Sequence, residues 1–371
     1  MKKLTLLTLL LACVTTYSAE AKQPKAPKVN NIIYLIGDGM GLAHVSMLQM
    51  EGKYAPTAFD RAHNVALTKT YSSNNRVTDS AASGTALATG YKTNNSTLGQ
   101  TPDGKPVESI IAKAEKKNFA SGLVATYAIQ HATPAAFYAH VKSRGDYDNI
   151  SRQFMDSGID LAFGGGIKNF EKALKKDGKD YMKEFSDRGY KVCKTWDEVM
   201  AQTSGQVIGL IHDDNMPAIE KRQPNFLADA TEKALEILTN NVKTQKKEGF
   251  VLMVEGSQID GRSHGRDVKG ILAEMRDFEK AINVAMDYAD SHPGTLVVVV
   301  ADHETGGLSI PSNKTDFTLP ESGIGYNFGT TSHTAVMIPV YLYGAGANWI
   351  NGIMENTDLS WKLQQLLRVD K

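Results

Sequence analysis

Cysteine is nearly absent from this chain. Only Cys13 and Cys193 occur among 371 residues, so neither a disulfide framework nor a thiolate-rich metal site is available. An excess of charge of one sign is also missing, with Lys and Arg numbering 41 and Asp and Glu 41. The broad electrostatic footprint expected of a protein that binds nucleic acid or an anionic membrane surface is therefore lacking, and partners have to be argued from local sites. Long apolar runs are missing too. The run from Leu4 to Ala12 is far shorter than the roughly 20 residues needed to span a bilayer, which argues against a transmembrane helix there. No internal repeat, low-complexity tract or break in composition divides the chain.

What is present suits one large α/β domain, since a chain of this length at 42% apolar content can bury a core of its own. Met1-Lys2-Lys3, the short apolar run and Ala19-Glu20-Ala21 have the form of a secretory signal with an A-x-A cleavage site. The expected organisation is a signal peptide at 1–21, a linker at 22–30 rich in Lys and Pro, and a single domain at 31–371, exported to the periplasm. Leu10-Leu11-Ala12-Cys13 also has the form of a lipoprotein cleavage box, which would anchor the protein through Cys13. Removing the signal would leave Cys193 alone, with no intramolecular disulfide possible.

Short apolar runs rich in β-branched residues occur at Ile32 to Ile36, Gly122 to Thr126, Val207 to Ile211, Phe250 to Val254, Thr295 to Ala301 and Val336 to Tyr343. Helical patterns occur at Val107 to Lys117, Leu227 to Lys243, Asp267 to Ser291 and Leu359 to Leu367. Strands that are apolar on both faces and alternate with helices predict a doubly wound, largely parallel central sheet flanked by helices, with Thr295 to Ala301 central. Polar clusters follow directly on several of these strands. Ile36 runs into Gly37-Asp38-Gly39, Val254 into Glu255, and Ala301 into Asp302-His303. In open α/β sheets ligands bind beyond the carboxyl ends of the strands, so these clusters are expected to converge.

Asp260 and His264 are four residues apart, one turn along if a helix starts there, and can share one metal ion. Asp302-His303 ends the most apolar strand, and His333 precedes another. Each has an ordinary reading when taken singly: Asp38 as a helix cap in a Gly-rich turn, or a lone His as a satisfied core residue. Several carboxylates meeting in one crevice would repel one another unless cations neutralised them. Oxygen and imidazole donors without thiolate suit zinc, with magnesium where carboxylates prevail.

Val77 to Ala86 is a polar turn entering an Ala-rich helical segment, with Ser80 at the helix start. A simple N-cap is one reading of Asp79 and Ser80. The other is an anion site, because free N–H groups and the dipole at a helix N-terminus favour phosphate. No Ser-His-Asp arrangement is evident, so a metal is the better candidate to activate the hydroxyl. In Gln130-His131-Ala132-Thr133-Pro134, Thr133 can be a plain helix cap. Farther on, Arg144 is either a surface residue or a planar fork for two phosphate oxygens.

Taken together these segments resemble the alkaline phosphatase family in its compact bacterial form. The motifs are Tyr34 to Gly41, Thr78-Asp79-Ser80-Ala81-Ala82-Ser83, His131 to Ala136, Asp160 to Gly166, Glu255 to His264, Ala301 to Gly307 and Ser332-His333-Thr334, which together cover nearly the whole mature chain. The resemblance implies hydrolysis of phosphate monoesters through a covalent phosphoserine at Ser80, with two zinc ions and one magnesium ion. It implies that Asp260, His264 and His333 hold one zinc and that Asp38, Asp302 and His303 hold the other. Asp38, Thr133 and Glu255 would hold magnesium, and Arg144 would bind the phosphate oxygens. It also implies a homodimer.

Two departures from the family pattern stand out. His131 occupies a position that is aspartate in some members, which suggests an outer-sphere contact to metal or phosphate. Gly261 replaces a larger side chain that reaches toward phosphate elsewhere in the family, and Arg262 can substitute only if its loop turns inward. A phosphodiesterase, phosphonate hydrolase or sulfatase of the wider superfamily is one competing reading, and a non-catalytic periplasmic binder of phosphate or metal is another. Residues 168–222 carry the least motif information and are assigned no catalytic role.

Overall fold

The computed structural model describes residues 26–313 and 323–370. The segment expected to be a signal peptide, its expected cleavage site and Cys13 lie outside the described residues.

Among the described residues fourteen strands occur in chain order: β1 Asn31–Gly37, β2 Asn64–Lys69, β3 Ala120–Ala128, β4 Leu161–Gly165, β5 Lys191–Val192, β6 Val207–His212, β7 Phe250–Gly256, β8 Thr295–Val300, β9 Glu304–Thr305, β10 Leu308–Ser309, β11 Asn327–Phe328, β12 His333–Thr334, β13 Ile338–Gly344 and β14 Gly352–Glu355. Ten of them form one sheet in the order β14-β2-β13-β8-β1-β7-β3-β4-β6-β5. Only β13 runs against the rest, antiparallel to both β8 and β2. All the other pairings in this sheet are parallel.

The expected fold class is therefore observed, and its cause is visible in the burial pattern. Every residue of β7 and β8 is buried. A strand covered on both faces has no solvated side to mark with polar residues, and so reads as Phe-Val-Leu-Met-Val or Leu-Val-Val-Val-Val without alternation. Each such side chain contributes on the order of 1.5–3 kcal/mol by leaving water. The helices Phe226–Gln245 and Val268–Ser291 pack on each other and on the sheet, while Ile110–Lys116, Ser80–Thr89 and Asn356–Leu367 form a second group against it.

Within this sheet the strands that the sequence left unmarked are β2, β4, β5 and β14. β14 and β2 close one end and β5 the other, with β4 third from β5's end. β2 alternates exposed and buried residues, and β4 is the Gly-rich Leu-Ala-Phe-Gly-Gly, so neither shows a continuous apolar run. Among the described residues no helix is long and apolar enough to cross a membrane.

Candidate metal and phosphate site

Four neighbouring strands, β8-β1-β7-β3, deliver the polar clusters to one place. Asp38 follows β1, and Asp302-His303 follow β8. Glu255 lies near the end of β7, and the Gln258–His264 helix beyond it carries Asp260 and His264. His131 and Thr133 follow β3, with Thr133 in the short helix Ala132–Ala135. His333 arrives from β12, which pairs antiparallel with β9 so that His333 lies opposite Thr305. Residues more than 250 positions apart thereby become neighbours, because parallel strands present all their carboxyl ends on one edge.

The turn after β1 allows this approach. Gly39 has φ +74° and its amide donates to Asp302 Oδ1 at 3.1 Å. A Cβ there would lie 2.8 Å from Thr305 Oγ1, so a side chain would force the turn away from β8.

Three groups of donors lie close enough to share an ion: Asp260, His303 and His333; Asp38, Asp302 and His303; and Asp38, His131 and Glu255. The electrostatics are those of a cation site. Both oxygens of Asp38, both of Glu255, Asp302 Oδ2, Thr133 Oγ1 and His131 Nδ1 are buried without a hydrogen-bond partner. Such atoms carry an uncompensated desolvation cost unless something positive meets them.

Burial, then repulsion from Asp302, Asp260 and Glu255, raises the Asp38 pKa well above the carboxylate range. Burial likewise pushes Glu255 up to about 8, although the nearby Ser257 and Thr133 hydroxyls act against it. Asp260 and Asp302 behave in the opposite way. Burial would raise both, but the His264 hydrogen bond and the His303 charge hold Asp260 low, and His303 with the Gly39 amide hold Asp302 low. His264 Nε2 lies 3.2 Å from Asp260 Oδ2, and this contact lifts the imidazole to about 9. Burial would lower His303, but Asp302 at 3.1 Å raises it overall. A proton on His264 thus supplies part of the positive charge that the carboxylates require.

Ser80 begins the ten-residue helix Ser80–Thr89. Asp79 takes the capping role, accepting from the Ala82 amide at 3.0 Å, so the Ser80 hydroxyl is free of it. Ser80 Oγ instead lies 3.2 Å from His303 Nε2, and the residue is only 2% exposed. Arg144 reaches the same helix start: Nη1 donates to Asp79 at 3.2 Å, and Nη2 lies 3.2 Å from His131 Nε2. A serine, a guanidinium and a helix N-terminus therefore face the carboxylate and imidazole cluster.

The alkaline phosphatase sequence profile matches residues 29–322. The chain belongs to the alkaline phosphatase family.

It is similar to alkaline phosphatase 4 of Bacillus subtilis (strain 168), 37% identical over 314 residues that cover 80% of this chain and 66% of that protein. Alkaline phosphatase 3 of the same organism is 38% identical, with 78% and 64% covered. The chain thus spans just under two thirds of these Bacillus relatives. The alkaline phosphatase of Escherichia coli (strain K12) is 30% identical over 408 residues, covering 91% of this chain and 86% of that one. Among solved structures, the alkaline phosphatase of the Antarctic bacterium TAB5 superposes with a TM-score of 0.85 at 34% identity, covering 93% of this chain and 100% of that one. A His-to-Glu variant of that enzyme is described with Mg bound in the M3 site.

In this family member nearly every residue singled out in the sequence lies in the cluster, with differences in grouping. Asp260 and His333 approach to 3.6 Å, but the close third donor is His303. His264 faces Asp260 with Nε2 and donates Nδ1–H to the Thr331 carbonyl at 2.6 Å. Thr133 Oγ1 is buried beside Glu255 without a hydrogen-bond partner and so caps no helix; the N-cap of that helix is His131. Arg262 does not turn inward, since it pairs with Asp267 at 2.7 Å and with Glu220.

Several supporting residues escaped the sequence reading. Thr305 Oγ1 donates to Asp260 Oδ1 at 2.5 Å. Buried His44, held near pKa 4 by burial and therefore neutral, joins Ser263 Oγ at 2.9 Å. Gln258 donates to the carbonyls of Thr126, Met216 and Pro217, and Asn215 accepts from the Ala128 amide. The segment 168–222 thus braces the site although it contributes none of the clustered donors. Thr305 and Gln258 lie inside the motifs Ala301 to Gly307 and Glu255 to His264, yet neither was given a role there.

Proposed function

We propose that this chain is an alkaline phosphatase that hydrolyses phosphate monoesters to an alcohol and inorganic phosphate. The observation that carries this reading is Ser80, freed from capping by Asp79, with Oγ 3.2 Å from His303 in a cluster where neither oxygen of Asp38 or of Glu255 accepts a hydrogen bond. Family membership and the 0.85 TM-score to the Antarctic enzyme support it.

The unpartnered oxygens of Asp38, Asp302 and Glu255, with the imidazoles beside them, fit hard and borderline divalent cations. Asp260, His264 and His333 would hold one zinc, and Asp38, Asp302 and His303 a second. Asp38, Thr133 and Glu255 would hold magnesium, with His131 as an outer neighbour. When bound, such ions supply Lewis acidity that polarises phosphoryl oxygens and makes hydroxyl and water nucleophilic near neutral to alkaline pH.

The chain's own groups define the rest of the reaction. Arg144 and the N–H groups at the start of the Ser80 helix grip the non-bridging oxygens and orient the ester. Ser80 Oγ attacks phosphorus as its proton passes to solvent water, the bond from phosphorus to the ester oxygen breaks on the opposite side, that oxygen takes a proton from water to leave as the alcohol, and a phosphoserine forms. Water then attacks from the side the alcohol vacated, and the P–O bond to Ser80 breaks to release phosphate. A diesterase would have to place a second ester group where Arg144 holds charged oxygens, which favours the monoesterase. Residues 31–371 would act as one domain, exported behind the 1–21 signal and the 22–30 linker, and working as a homodimer.

The deciding measurement is hydrolysis of a chromogenic phosphate monoester and its methyl diester, before and after chelation and with zinc and magnesium restored. Monoester turnover that rises with pH, disappears on chelation and returns with the metals is expected. No monoester turnover by folded, fully metallated protein overturns the reading.

A further inference from the structure

Tyr127 stands at the end of β3, within reach of the site but outside every group of donors described above. Its ring meets that of His131 edge-on, with centroids 4.8 Å apart, and His131 in turn contacts Arg144 at 3.2 Å. The phenol hydroxyl lies above Gly261 of the Gln258–His264 helix, so close that a Cβ built on Gly261 would come within 2.7 Å of it. Arg144, His131, Tyr127 and Gly261 therefore form a continuous wall from the start of the Ser80 helix to Asp260. Among the described residues no protein group hydrogen-bonds the Tyr127 hydroxyl, whereas those of Tyr138 and Tyr190 each donate to a backbone carbonyl at 2.8 Å. The side chain next to Gly261 offers no substitute, because Arg262 is turned away into its pairs with Asp267 and Glu220.

We infer that Tyr127 is a substrate-contacting residue whose hydroxyl, seated in the space left by Gly261, donates a hydrogen bond to a phosphoryl oxygen of the bound monoester and of the phosphate product. This rests on the monoesterase reading and assigns one more contact within the same site. A phosphate dianion offers only acceptors, so a fixed neutral donor is well suited to it. A phenol, whose ordinary pKa is about 10, keeps its proton at pH 8, and burial acts in the same direction.

Tyr127→Phe removes the hydroxyl and keeps the ring against His131. In metal-loaded protein of unchanged thermal unfolding, binding of inorganic phosphate measured by calorimetry at pH 8 should weaken by about 10-fold or more, as expected for a hydrogen bond to a charged group. KM for a chromogenic monoester should rise in parallel, while kcat falls by less than about 3-fold, because the contact is made equally to substrate and product. Gly261→Ala should give the same loss with Tyr127 intact, since its methyl evicts the hydroxyl, and the double variant should be no worse than either single. Phosphate affinity and KM within about twofold of native in both variants would overturn the assignment while leaving the monoesterase reading untouched. Native protein that neither binds phosphate nor turns over a monoester would overturn both.

Discussion

Arg222 and Glu274 form an ion pair with no exposure of the arginine side chain, Nη2 lying 2.5 Å from Glu274 Oε2, and the same nitrogen reaches Asp277 at 2.9 Å. Glu274 also accepts from the Ile219 amide, and Arg222 Nη1 donates to the Pro217 carbonyl at 3.0 Å. The triad thus fastens the loop whose Met216 and Pro217 carbonyls hold Gln258, two residues before Asp260. Arg222→Ala would leave two carboxylates buried without their cation. A loss of about 3–5 kcal/mol is expected in denaturant unfolding, which is the usual cost of breaking a buried pair from one side. Unfolding unchanged to within 1 kcal/mol, a limit set by the modest worth of ordinary surface ion pairs, would show that the triad is not the fastening described.

Ser80→Ala should separate chemistry from binding. The fold should persist, because Asp79 rather than Ser80 caps the helix. Turnover of a monoester should fall by at least about a thousandfold, in keeping with the removal of nucleophiles elsewhere, while phosphate binding in calorimetry remains. Substantial residual turnover would mean that another group attacks phosphorus.

Metal loading should release protons. In the metal-free protein Glu255 titrates near 8 and His264 near 9, so both carry a proton at pH 7, and each must give it up to become a ligand. Zinc and magnesium affinity should therefore climb as pH rises from 7 to 9 and level off above. Total proton release at pH 7, followed with an indicator dye, should approach or exceed two. Release below one would indicate that these side chains are not displaced by metal.

Glu115 gives a pH dependence of stability remote from the site. It is largely buried, accepts from Ser121 Oγ at 2.5 Å, and burial lifts its pKa to about 7. A carboxyl raised in the folded state keeps its proton there while the unfolded chain loses it. The contribution is therefore full below about 4.5 and is lost as pH rises through 7. Glu115→Gln should stabilise the protein at pH 8 by on the order of 2 kcal/mol and remove that part of the slope between pH 4.5 and 7, as seen in thermal unfolding at several pH values. Parallel pH profiles for native and variant would refute the assignment.

What the sequence made legible follows from burial. β1, β7 and β8 are covered on both faces, so their apolar runs and the acidic or imidazole residues just beyond them stood out. β2 and β14, at one end of the sheet, carry exposed positions, and their pattern dissolved into the background. Asp38, Asp302 and His303 were visible because charge directly after an apolar strand is unusual. Tyr127 and His44 were not, because a tyrosine or histidine within an ordinary stretch gives no sign of what it will face across the fold, and Gln258, though inside a motif, gave no sign of the carbonyls it would hold. Even the right donors came with an uncertain grouping: His303 lies between Asp302 at 3.1 Å and Asp38 at 3.6 Å, and only the folded chain brings its ring against His333.

The position of β1 bears on how such a molecule is made. β1, the first strand among the described residues, sits in the interior of the sheet, and its two neighbours, β7 and β8, lie more than 200 residues later in the chain. Until they emerge, Ile32, Ile33, Leu35 and Ile36 have no native edge to meet, and an unpaired apolar strand is prone to join the wrong partner. Closing so long a loop also makes the central pairing slow. The crevice at the strand ends can assemble only after β8 and β12 have joined strands made much earlier, since Asp302, His303 and His333 all come from that late part of the chain.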